Sequence, residues 1–275
     1  MERDSARKDR GGAAAAGDEW KNSDNAGVAG DMQKVNGEIT VIILAGGFSR
    51  RMGAFKPLLK VGDRPAVDVL VRVFASAGVK RIIIVTGHEH EMLERHIECD
   101  LTVDGLMSAG AESEKEVTVG TIFNENYSEG MFTSVQKGIE CVREIDRAAG
   151  GGASGTFLIP VDCPAVSAET IRTMLKCIGS NSGTSTKDSF CVPTYMGKKG
   201  HPLYIPKEYW QEILEYDGEN GLRGFTENYT EKMINVPVDD EGILLDMDDV
   251  AGYERVNDYY TNASGPDLQT QAKTE

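Results

Sequence analysis

The sequence predicts an α/β protein in which a mainly parallel sheet lies between two layers of helices. Two observations lead to this prediction. Short apolar segments typical of buried strands alternate with segments whose apolar residues recur at helical spacing. Glycines and prolines mark the turns between these segments. A chain that alternates strands and helices in this way forms a parallel sheet with helices on both faces.

The first elements are predicted as strand, helix, strand. Glu38–Leu44 ends in consecutive apolar residues before a glycine pair, as a buried strand does. A helix is predicted over Pro65–Ala77, because proline fits a first helical turn and apolar residues recur at helical spacing as far as Gly78. Arg81–Thr86, rich in isoleucine, is predicted to be the second strand.

The same alternation continues to residue 178. A helix is predicted over Glu89–Ile97, a strand over Val117–Phe123 and a helix over Met131–Val142. A fourth strand is expected at 156–161. The last predicted helix runs through Ile178 and is capped by Ser167, whose hydroxyl can accept a backbone N–H of the first turn.

Both ends of the chain differ from this central part. Residues 1–37 and 261–275 contain few apolar residues and show no periodicity, so we expect disordered tails on either side of one domain at 38–260. The net charge of −15 argues against nucleic acid or an anionic membrane as a partner. No apolar run has the length of a membrane span or a signal peptide, which makes the cytoplasm the expected location.

Ile42 to Lys56 is the most informative stretch and reads I-I-L-A-G-G-F-S-R-R-M-G-A-F-K. Glycines allow backbone N–H groups to close on a phosphate, and the cations that follow neutralise its charge. The stretch is neither a Walker loop nor a dinucleotide fingerprint, so a nicotinamide oxidoreductase is disfavoured. The alternative is a simple Gly-Gly turn after an edge strand, with solvated arginines beyond it.

The pattern L-A-G-G-x-S-x-R-M-G-x-x-K resembles that of the molybdenum cofactor guanylyl- and cytidylyltransferases, over about residues 39–260. The resemblance implies a Rossmann-like nucleotidyltransferase fold, with Arg51 and Lys56 as catalytic cations. Arg50 stands at a variable position of the pattern. The residues that the resemblance assigns to nucleotide binding in this loop are Leu44, Ala45, Gly46, Gly47, Ser49, Arg51, Gly53 and Lys56.

Asp162 directly follows the fourth predicted strand, at the sheet edge where ligands of such folds bind. A carboxylate there suits Mg²⁺, which takes one or two carboxylates together with phosphate and water oxygens. The alternative is an aspartate that only turns the chain before Pro164. The resemblance implies the metal role, because the family carries its metal-binding aspartate in this D-x-P context.

A second acidic segment contains Asp246 and Asp248, which lie on the same side if the chain is extended. The resemblance implies that Asp248 completes the metal site, with Asp246 as the open alternative. Asp249 and Val250 depart from the family pattern, which usually has Thr and Pro there. A solvated acidic turn is the other interpretation of this segment.

Three further segments resemble the cytidylyltransferase branch. In N-x-x-x-x-G-M-x-x-S, Thr133 and Ser134 are candidates for nucleotide binding at a helix start. The G-H-P at His201 and the G-x-R-G at Arg223 are candidates for the acceptor site. The first two also have a purely structural interpretation: a helix start without a ligand, and a histidine that braces a turn.

Five widely spaced cysteines without a C-x-x-C pair indicate reduced thiols. Cys163 lies in the Asp162 motif, and a nucleophilic role is disfavoured because no histidine is near it in sequence. His88, His90 and His96 are interpreted as solvated helix residues rather than a metal site.

The combined prediction is a Mg²⁺-dependent nucleotidyltransferase that joins a nucleotide from CTP to molybdopterin and releases pyrophosphate. One alternative is a guanylyltransferase or another pyrophosphorylase with a different phosphorylated acceptor. The other is a non-catalytic chaperone that carries cofactor to a molybdenum hydroxylase apoenzyme, and such an apoenzyme is also the candidate protein partner of the enzyme.

Overall fold

The computed structural model describes residues 38–49, 52–103, 117–179 and 188–261. The predicted fold class is confirmed: a mostly parallel sheet carries helices on both sides. The strands of the described residues are β1 (Ile39–Leu44), β2 (Lys60–Val61), β3 (Arg64–Pro65), β4 (Arg81–Thr86), β5 (Thr118–Phe123), β6 (Gly155–Pro160), β7 (Phe190–Tyr195), β8 (Lys198–Lys199), β9 (Leu203–Pro206) and β10 (Met233–Pro237). The helices are α1 (Ala66–Ser76), α2 (His90–Val103), α3 (Met131–Ala148), α4 (Ala168–Gly179), α5 (Trp210–Glu215), α6 (Gly221–Glu227) and α7 (Val250–Thr261).

The main sheet has the strand order β10-β7-β9-β6-β1-β4-β5, with β8 paired to β7. Strands β6, β1, β4 and β5 run parallel, as do β10 and β7, whereas β9 is antiparallel to its neighbours. Ile42 of β1 lies between Ile83 and Leu158, so the centre of the sheet is apolar on both sides. The carboxyl ends of β1, β4, β5, β6, β7 and β10 therefore meet at one edge.

Two apolar clusters cover the two faces of the sheet. One packs β1, β4 and β6 against α1 and α4, with Phe74 and Ile171 fully buried. The other packs the opposite face against α3 and α5, with Ile139 and Trp210 fully buried. Gly138 lets α3 approach β1 closely, since a Cβ there would lie 2.7 Å from Ile42. The helices that follow β1, β5 and β6 are thus held with their first turns at the carboxyl edge.

Several predicted boundaries shift by a few residues for physical reasons. Helix α1 begins at Ala66 rather than Pro65, because Pro65 pairs with Lys60 in the small β2–β3 ribbon. Helix α3 continues six residues beyond Val142 to Ala148, since Ile145 extends its apolar face onto the second cluster. The predicted cap of α4 is confirmed: the hydroxyl of Ser167 accepts the N–H of Thr170 at 3.2 Å.

The predicted disordered tails lie outside the described residues, apart from Thr261 at the end of α7. The described residues beyond 188 form four strands and three helices that the sequence analysis did not anticipate. Among the described residues no helix is long and apolar enough to span a membrane.

Candidate active site

The centre of the site is a lysine held between two aspartates. Lys56 Nζ lies 3.0 Å from Asp162 Oδ2 and 2.9 Å from Asp248 Oδ1. The lysine side chain is only 12% exposed, whereas that of Asp248 is 56% exposed. Asp162 and Asp248 are 106 and 192 positions away from Lys56 in sequence, so only the folded chain brings the three residues together.

The loop after β1 positions Lys56. Ser49 adopts a left-handed backbone (φ 50°), and its carbonyl accepts the N–H groups of Met52 and Gly53 at 3.1 Å each. The hydroxyl of Ser49 accepts the N–H of Lys56 at 3.4 Å. Lys56 then opens a 3₁₀ helix that continues to Leu58. Ser49 thereby shapes the loop through its backbone and its side chain at once.

Asp162 and Asp248 are joined through the backbone. The N–H of Met247 donates to the carbonyl of Asp162 at 2.9 Å, and the Met247 side chain is fully buried. Burial of Met247 anchors the acidic segment, so Asp248 faces Lys56. Asp246 accepts the N–H of Asp248 at 3.2 Å. Of the two alternatives, the structure brings Asp248 to the lysine and uses Asp246 to shape the turn.

The pKa of Lys56 is determined by two opposing effects, burial and ion pairing. Burial lowers the pKa of Lys56, but its hydrogen bonds with Asp248 and Asp162 and their negative charges outweigh burial and leave the pKa above its usual value. The lysine is therefore an ammonium at neutral pH. It compensates two carboxylates that would otherwise repel each other.

The glycine loop, which contains Gly46 and Gly47 after β1, packs against the chain that follows β4. The N–H of Ala45 donates to Val85 at 2.9 Å, and that of His88 donates to Gly46 at 3.2 Å. A Cβ on Gly87 would lie 2.7 Å from the Gly46 carbonyl oxygen, closer than such atoms approach. A glycine at 87 is therefore required for the loop to keep its position, a requirement that the sequence analysis did not identify.

The N-terminus of α3 borders the same loop. Gly130 precedes the helix with φ 133°, a backbone conformation that favours glycine. The buried amide of Asn124 donates to the hydroxyls of Thr133 and Ser134 at 2.9 Å each. A Cβ on Gly46 would lie 3.4 Å from Ser134 Oγ, so the two predicted nucleotide-binding segments are neighbours. Asn124 fixes both hydroxyls and was missed from the sequence.

Aromatic side chains gather beyond β4 and β5, next to the glycine loop. The ring of Phe48 lies 5.1 Å from that of His88 and 5.2 Å from that of Tyr127. Tyr127 in turn lies 6.3 Å from Phe123. Phe48, His88 and Tyr127 are half-buried, so this aromatic cluster presents ring surface at the carboxyl edge.

His201 lies on the other side of Asp162, where the chain enters β9. The backbone N–H of His201 donates to the carbonyl of Ile243 at 3.0 Å. The ring nitrogen Nδ1 is buried without a hydrogen-bond partner among the described residues. Burial lowers the pKa of His201, opposed by the charges of Asp162 and Asp246. The structure thus brings this acceptor-site candidate close to the central group.

Arg223, the other acceptor-site candidate, is on α6 and does not join the central group in the described residues. Its Nε donates to Glu227 at 2.9 Å, and its side chain is 87% exposed. The packing of Gly218 against Phe132 brings the loop before α6 to the first turn of α3. Arg223 itself is an exposed cation that pairs with Glu227 on the helix after this loop.

Cys163 and His96 have surroundings that indicate a structural role. Burial and the neighbouring Asp162 raise the pKa of Cys163 well above its usual value, so it is a thiol at neutral pH. His96 pairs with the buried Asp68 at 2.7 Å. No group of three or more potential metal-ligating side chains is found among residues 38–49, 52–103, 117–179 and 188–261. Arg51, predicted to be catalytic, lies outside the described residues.

The two aspartates fit a divalent cation with substrate oxygens. Both carboxylates lie within 3.0 Å of one positively charged atom, the Lys56 nitrogen, so they already converge on a single cation. Two carboxylates are the usual protein contribution to a Mg²⁺ site whose other ligands are phosphate and water.

Structural comparisons show the same fold in known proteins. A nucleotidyl transferase from a Methanothermobacter species (Mth528) has a TM-score of 0.61 and 18% identity over 82% of this chain and 98% of its own. Rv0371c of Mycobacterium tuberculosis has a TM-score of 0.60 and 20% identity over 81% and 98% of the two chains. Rv0371c has also been solved in complex with manganese.

A third similar structure is 4-diphosphocytidyl-2C-methyl-D-erythritol synthase from Anaerococcus prevotii. It has a TM-score of 0.56 and 12% identity over 82% of this chain and 99% of its own. No curated protein matches the chain in a sequence search. The family model described as the MobA-like NTP transferase domain matches residues 41–233, which include the glycine loop, Lys56 and Asp162. The chain is therefore a nucleotidyltransferase of the MobA-like NTP transferase family.

Proposed function

We propose that this protein transfers a nucleoside monophosphate from a nucleoside triphosphate, CTP in preference, to the phosphate of a molybdopterin-type acceptor and releases pyrophosphate. The observation that carries the proposal is the convergence of Asp162 and Asp248 on Lys56 beside the glycine loop. This geometry supports the proposal because positive charge beside a phosphate-binding loop stabilises the charge that develops when a bond between phosphates breaks.

We propose an orientation for the nucleotide from the layout of the carboxyl edge. Its phosphates lie along the loop that contains Gly46 and Gly47, with the reacting phosphorus towards Asp162. The aromatic cluster of Phe48, His88 and Tyr127 lies on the β4–β5 side, where a base can stack on ring surface. Thr133 and Ser134, whose hydroxyl oxygens both accept from the Asn124 amide, are the proposed contacts for ribose or phosphate. The Thr133 O–H already donates to the carbonyls of Gly130 and Asn126, so Ser134 is the proposed donor of the two.

The reaction needs little covalent participation by the protein. An acceptor phosphate oxygen attacks the α-phosphorus in line, the bond to the bridging oxygen breaks, and pyrophosphate leaves with the electron pair. Lys56 stabilises the charge that grows on the leaving group, and Arg51 is proposed to do the same. The acceptor phosphate is already ionised at neutral pH, so no general base is required.

Asp162 and Asp248 would hold the divalent cation that the resemblance implies, with Mg²⁺ as the proposed ion. When bound, such an ion neutralises phosphate charge and aligns the reacting oxygens. The manganese complex of Rv0371c supports a divalent cation in this fold. Lys56, which contacts both carboxylates, would then be the residue that meets the triphosphate.

CTP is favoured because the segments around Thr133 and His201 resemble the cytidylyltransferase branch. A guanylyltransferase or a pyrophosphorylase with another phosphorylated acceptor would use the same central residues. A chaperone for a molybdenum hydroxylase remains the non-catalytic alternative, and the central triad of Lys56, Asp162 and Asp248 argues for catalysis.

The test is pyrophosphate release with Mg²⁺, molybdopterin and each of CTP, GTP, ATP and UTP in turn. Release with CTP alone supports the proposal in full. Preference for GTP identifies the guanylyltransferase alternative. Absence of release with all four nucleotides, together with tight binding of molybdopterin, supports the chaperone instead. The Asp162→Asn variant serves as the control for contaminating phosphatases.

A further inference from the structure

Helix α7 begins beside Asp248 and is started by a side-chain cap. Asp249 precedes the helix, and its Oδ1 accepts the N–H of Gly252 at 2.7 Å, which is the contact of an N-cap residue. The threonine that is usual at this position in the family pattern could make the same cap. A Cβ on Gly252 would lie 2.5 Å from the carbonyl oxygen of Asp246, so the first turn packs closely on the acidic segment. The helix is therefore fixed to the segment that carries Asp248.

One face of α7 bonds to the segment that carries Lys56. The hydroxyl of Tyr253 donates to the backbone carbonyl of Lys60 at 2.7 Å. One turn further along the helix, the side chain of Asn257 accepts the N–H of Gly62 at 3.0 Å. These contacts hold strand β2 and the turn after it, which follow the 3₁₀ helix that Lys56 opens.

The far end of the same face bonds to the segment that carries Asp162. The hydroxyl of Tyr260 donates to the carbonyl of Pro164 at 2.8 Å, in the chain between Asp162 and α4. Burial raises the pKa of Tyr260, so the hydroxyl keeps the proton that it donates at neutral pH. Positions 253, 257 and 260 share a face because residues three and four apart are neighbours on a helix.

Helix α7 thus contacts the chain beside each member of the central triad, which consists of Lys56, Asp162 and Asp248. The ion pairs within the triad weaken or strengthen with any charge that enters the site. The bonds from Tyr253 and Tyr260 end on neutral backbone carbonyls outside the triad. They can therefore keep the spacing of the three segments whatever charge the site holds.

We infer that Tyr253 and Tyr260 are positioning residues, which fix the spacing of the central triad for a divalent cation and the nucleotide phosphates. This inference rests on the proposed function for what the site binds. Each tyrosine acts through a backbone carbonyl of the segment that it positions, and not through a contact with substrate. Spacing matters because a displacement of about 1 Å at a reacting centre can lower a rate about 100-fold.

Tyr259 provides a matched control on the same helix. Its hydroxyl donates to Asp240 at 3.0 Å. Asp240 is buried and also accepts the N–H groups of Ser167 and Gly242 and the hydroxyl of Thr170, so it stays bonded when Tyr259 is changed. Tyr259→Phe therefore removes one hydroxyl bond from α7 without removing a bond to the segments of the central triad.

The first test measures metal binding and needs no turnover. Mn²⁺ is titrated by electron paramagnetic resonance, without nucleotide, into wild-type protein and into Tyr253→Phe, Tyr260→Phe and Tyr259→Phe. We expect the first two variants to bind Mn²⁺ about fivefold more weakly, the effect of one lost neutral hydrogen bond. Tyr259→Phe should lower the melting temperature and leave the Mn²⁺ affinity unchanged. Equal Mn²⁺ affinity in all three variants would overturn the inference, because the tyrosines would then contribute only stability.

A melting temperature is recorded for every variant to confirm that each one folds. Tyr253 is only half-buried, so its replacement keeps the test informative even if loss of the Tyr260 bond prevents folding. Absence of Mn²⁺ binding by the wild-type protein would refute the inference together with the proposed cation.

The second test separates kcat from KM in transfer from CTP. Tyr253→Phe should lower kcat about fivefold and change the KM for CTP less than twofold, because the glycine loop that is proposed to bind the phosphates is unaltered. Tyr259→Phe should keep the wild-type kcat. Equal kcat values for Tyr253→Phe and Tyr259→Phe would contradict a positioning role.

The two tests separate this inference from the proposed function. Weaker Mn²⁺ binding in Tyr253→Phe and Tyr260→Phe, without transfer from any nucleotide by the wild-type protein, would support the positioning role and refute the transferase activity. Transfer by the wild-type protein, with unchanged Mn²⁺ affinity and kcat in both variants, would support the transferase and refute the positioning role.

Discussion

Lys56 Nζ lies 3.0 Å from Asp162 Oδ2, although 106 residues separate the two in sequence. The same ammonium contacts Asp248 at 2.9 Å, so one cation holds together three segments of the chain. A protein built only for stability gains little from gathering two carboxylates at a partly exposed edge. In the proposed function, the two carboxylates would hold a divalent cation and Lys56 would meet the phosphates of the nucleotide.

Replacement of Lys56 by Met tests this charge balance. Loss of the ammonium leaves Asp162 and Asp248 uncompensated, so the nucleotide-free protein should bind Mn²⁺ about tenfold more tightly. Nucleotidyl transfer should fall about 100-fold or more, because the leaving group loses its cation. Titration of Mn²⁺ by electron paramagnetic resonance measures the first effect. Lys60→Met, an exposed lysine on β2, is the control and should change neither quantity; unchanged Mn²⁺ affinity in Lys56→Met would contradict the account.

Asp248 and Asp246 should differ sharply when each is changed to Asn. Asp248 contacts Lys56, whereas Asp246 bonds the Asp248 N–H and shapes the turn. We expect Asp248→Asn to weaken Mn²⁺ binding in the presence of nucleotide at least tenfold and to reduce kcat by a similar factor. Asp246→Asn, which keeps an acceptor oxygen, should stay within about threefold. The reverse order would move the second metal ligand to Asp246.

Glycines 87 and 47 provide a matched pair in the nucleotide loop. Gly87→Ala forces a Cβ to 2.7 Å from the Gly46 oxygen, so the free energy of unfolding should fall by about 1–3 kcal/mol. Gly47 has open space around its Cβ position. Gly47→Ala should therefore leave the melting temperature unchanged and raise the KM for the nucleotide. Calorimetry and steady-state kinetics separate the two effects. Equal melting temperatures for the two variants would show that the loop shifts to accept the added methyl group, which would contradict the requirement for glycine at position 87.

Cys163→Ser should retain activity within about threefold. Burial and Asp162 keep the Cys163 sulfur protonated, and its contact with the Asp162 carboxylate, at 3.6 Å, can be made by a hydroxyl. Iodoacetamide should not inactivate the native protein, because the thiolate is scarce and the side chain is buried. Loss of activity in Cys163→Ser comparable to that in Asp162→Asn would assign the thiol a direct role.

The sequence predicts the first half of the fold well because its strands are apolar throughout. β1 and β4 are buried on both faces, so their isoleucine-rich segments cannot be mistaken for loops. β10 is half-exposed and β8 is only two residues long, so neither shows a clear period. β8 and β10 can be recognised only from their pairing with β7, and that pairing depends on the whole sheet.

Some residues of the candidate site can likewise be predicted from the sequence, whereas others cannot. Lys56 and Asp162 stand in contiguous motifs and are found from sequence. Asn124 was missed, since an isolated asparagine after a strand has no distinguishing pattern until its amide meets Thr133 and Ser134. Its role depends on burial, which a single sequence does not reveal.

Transfer of radioactive phosphorus from CTP labelled at the α-phosphate tests directly whether the Lys56–Asp162–Asp248 group is catalytic. Wild-type protein and Asp162→Asn are incubated with Mg²⁺ and molybdopterin, and the product is separated from nucleotide. We expect label in the acceptor with wild-type protein, one pyrophosphate released per label transferred, and at least a 100-fold loss of transfer in Asp162→Asn. Equal transfer by the two proteins would contradict the role of the Lys56–Asp162–Asp248 group in catalysis.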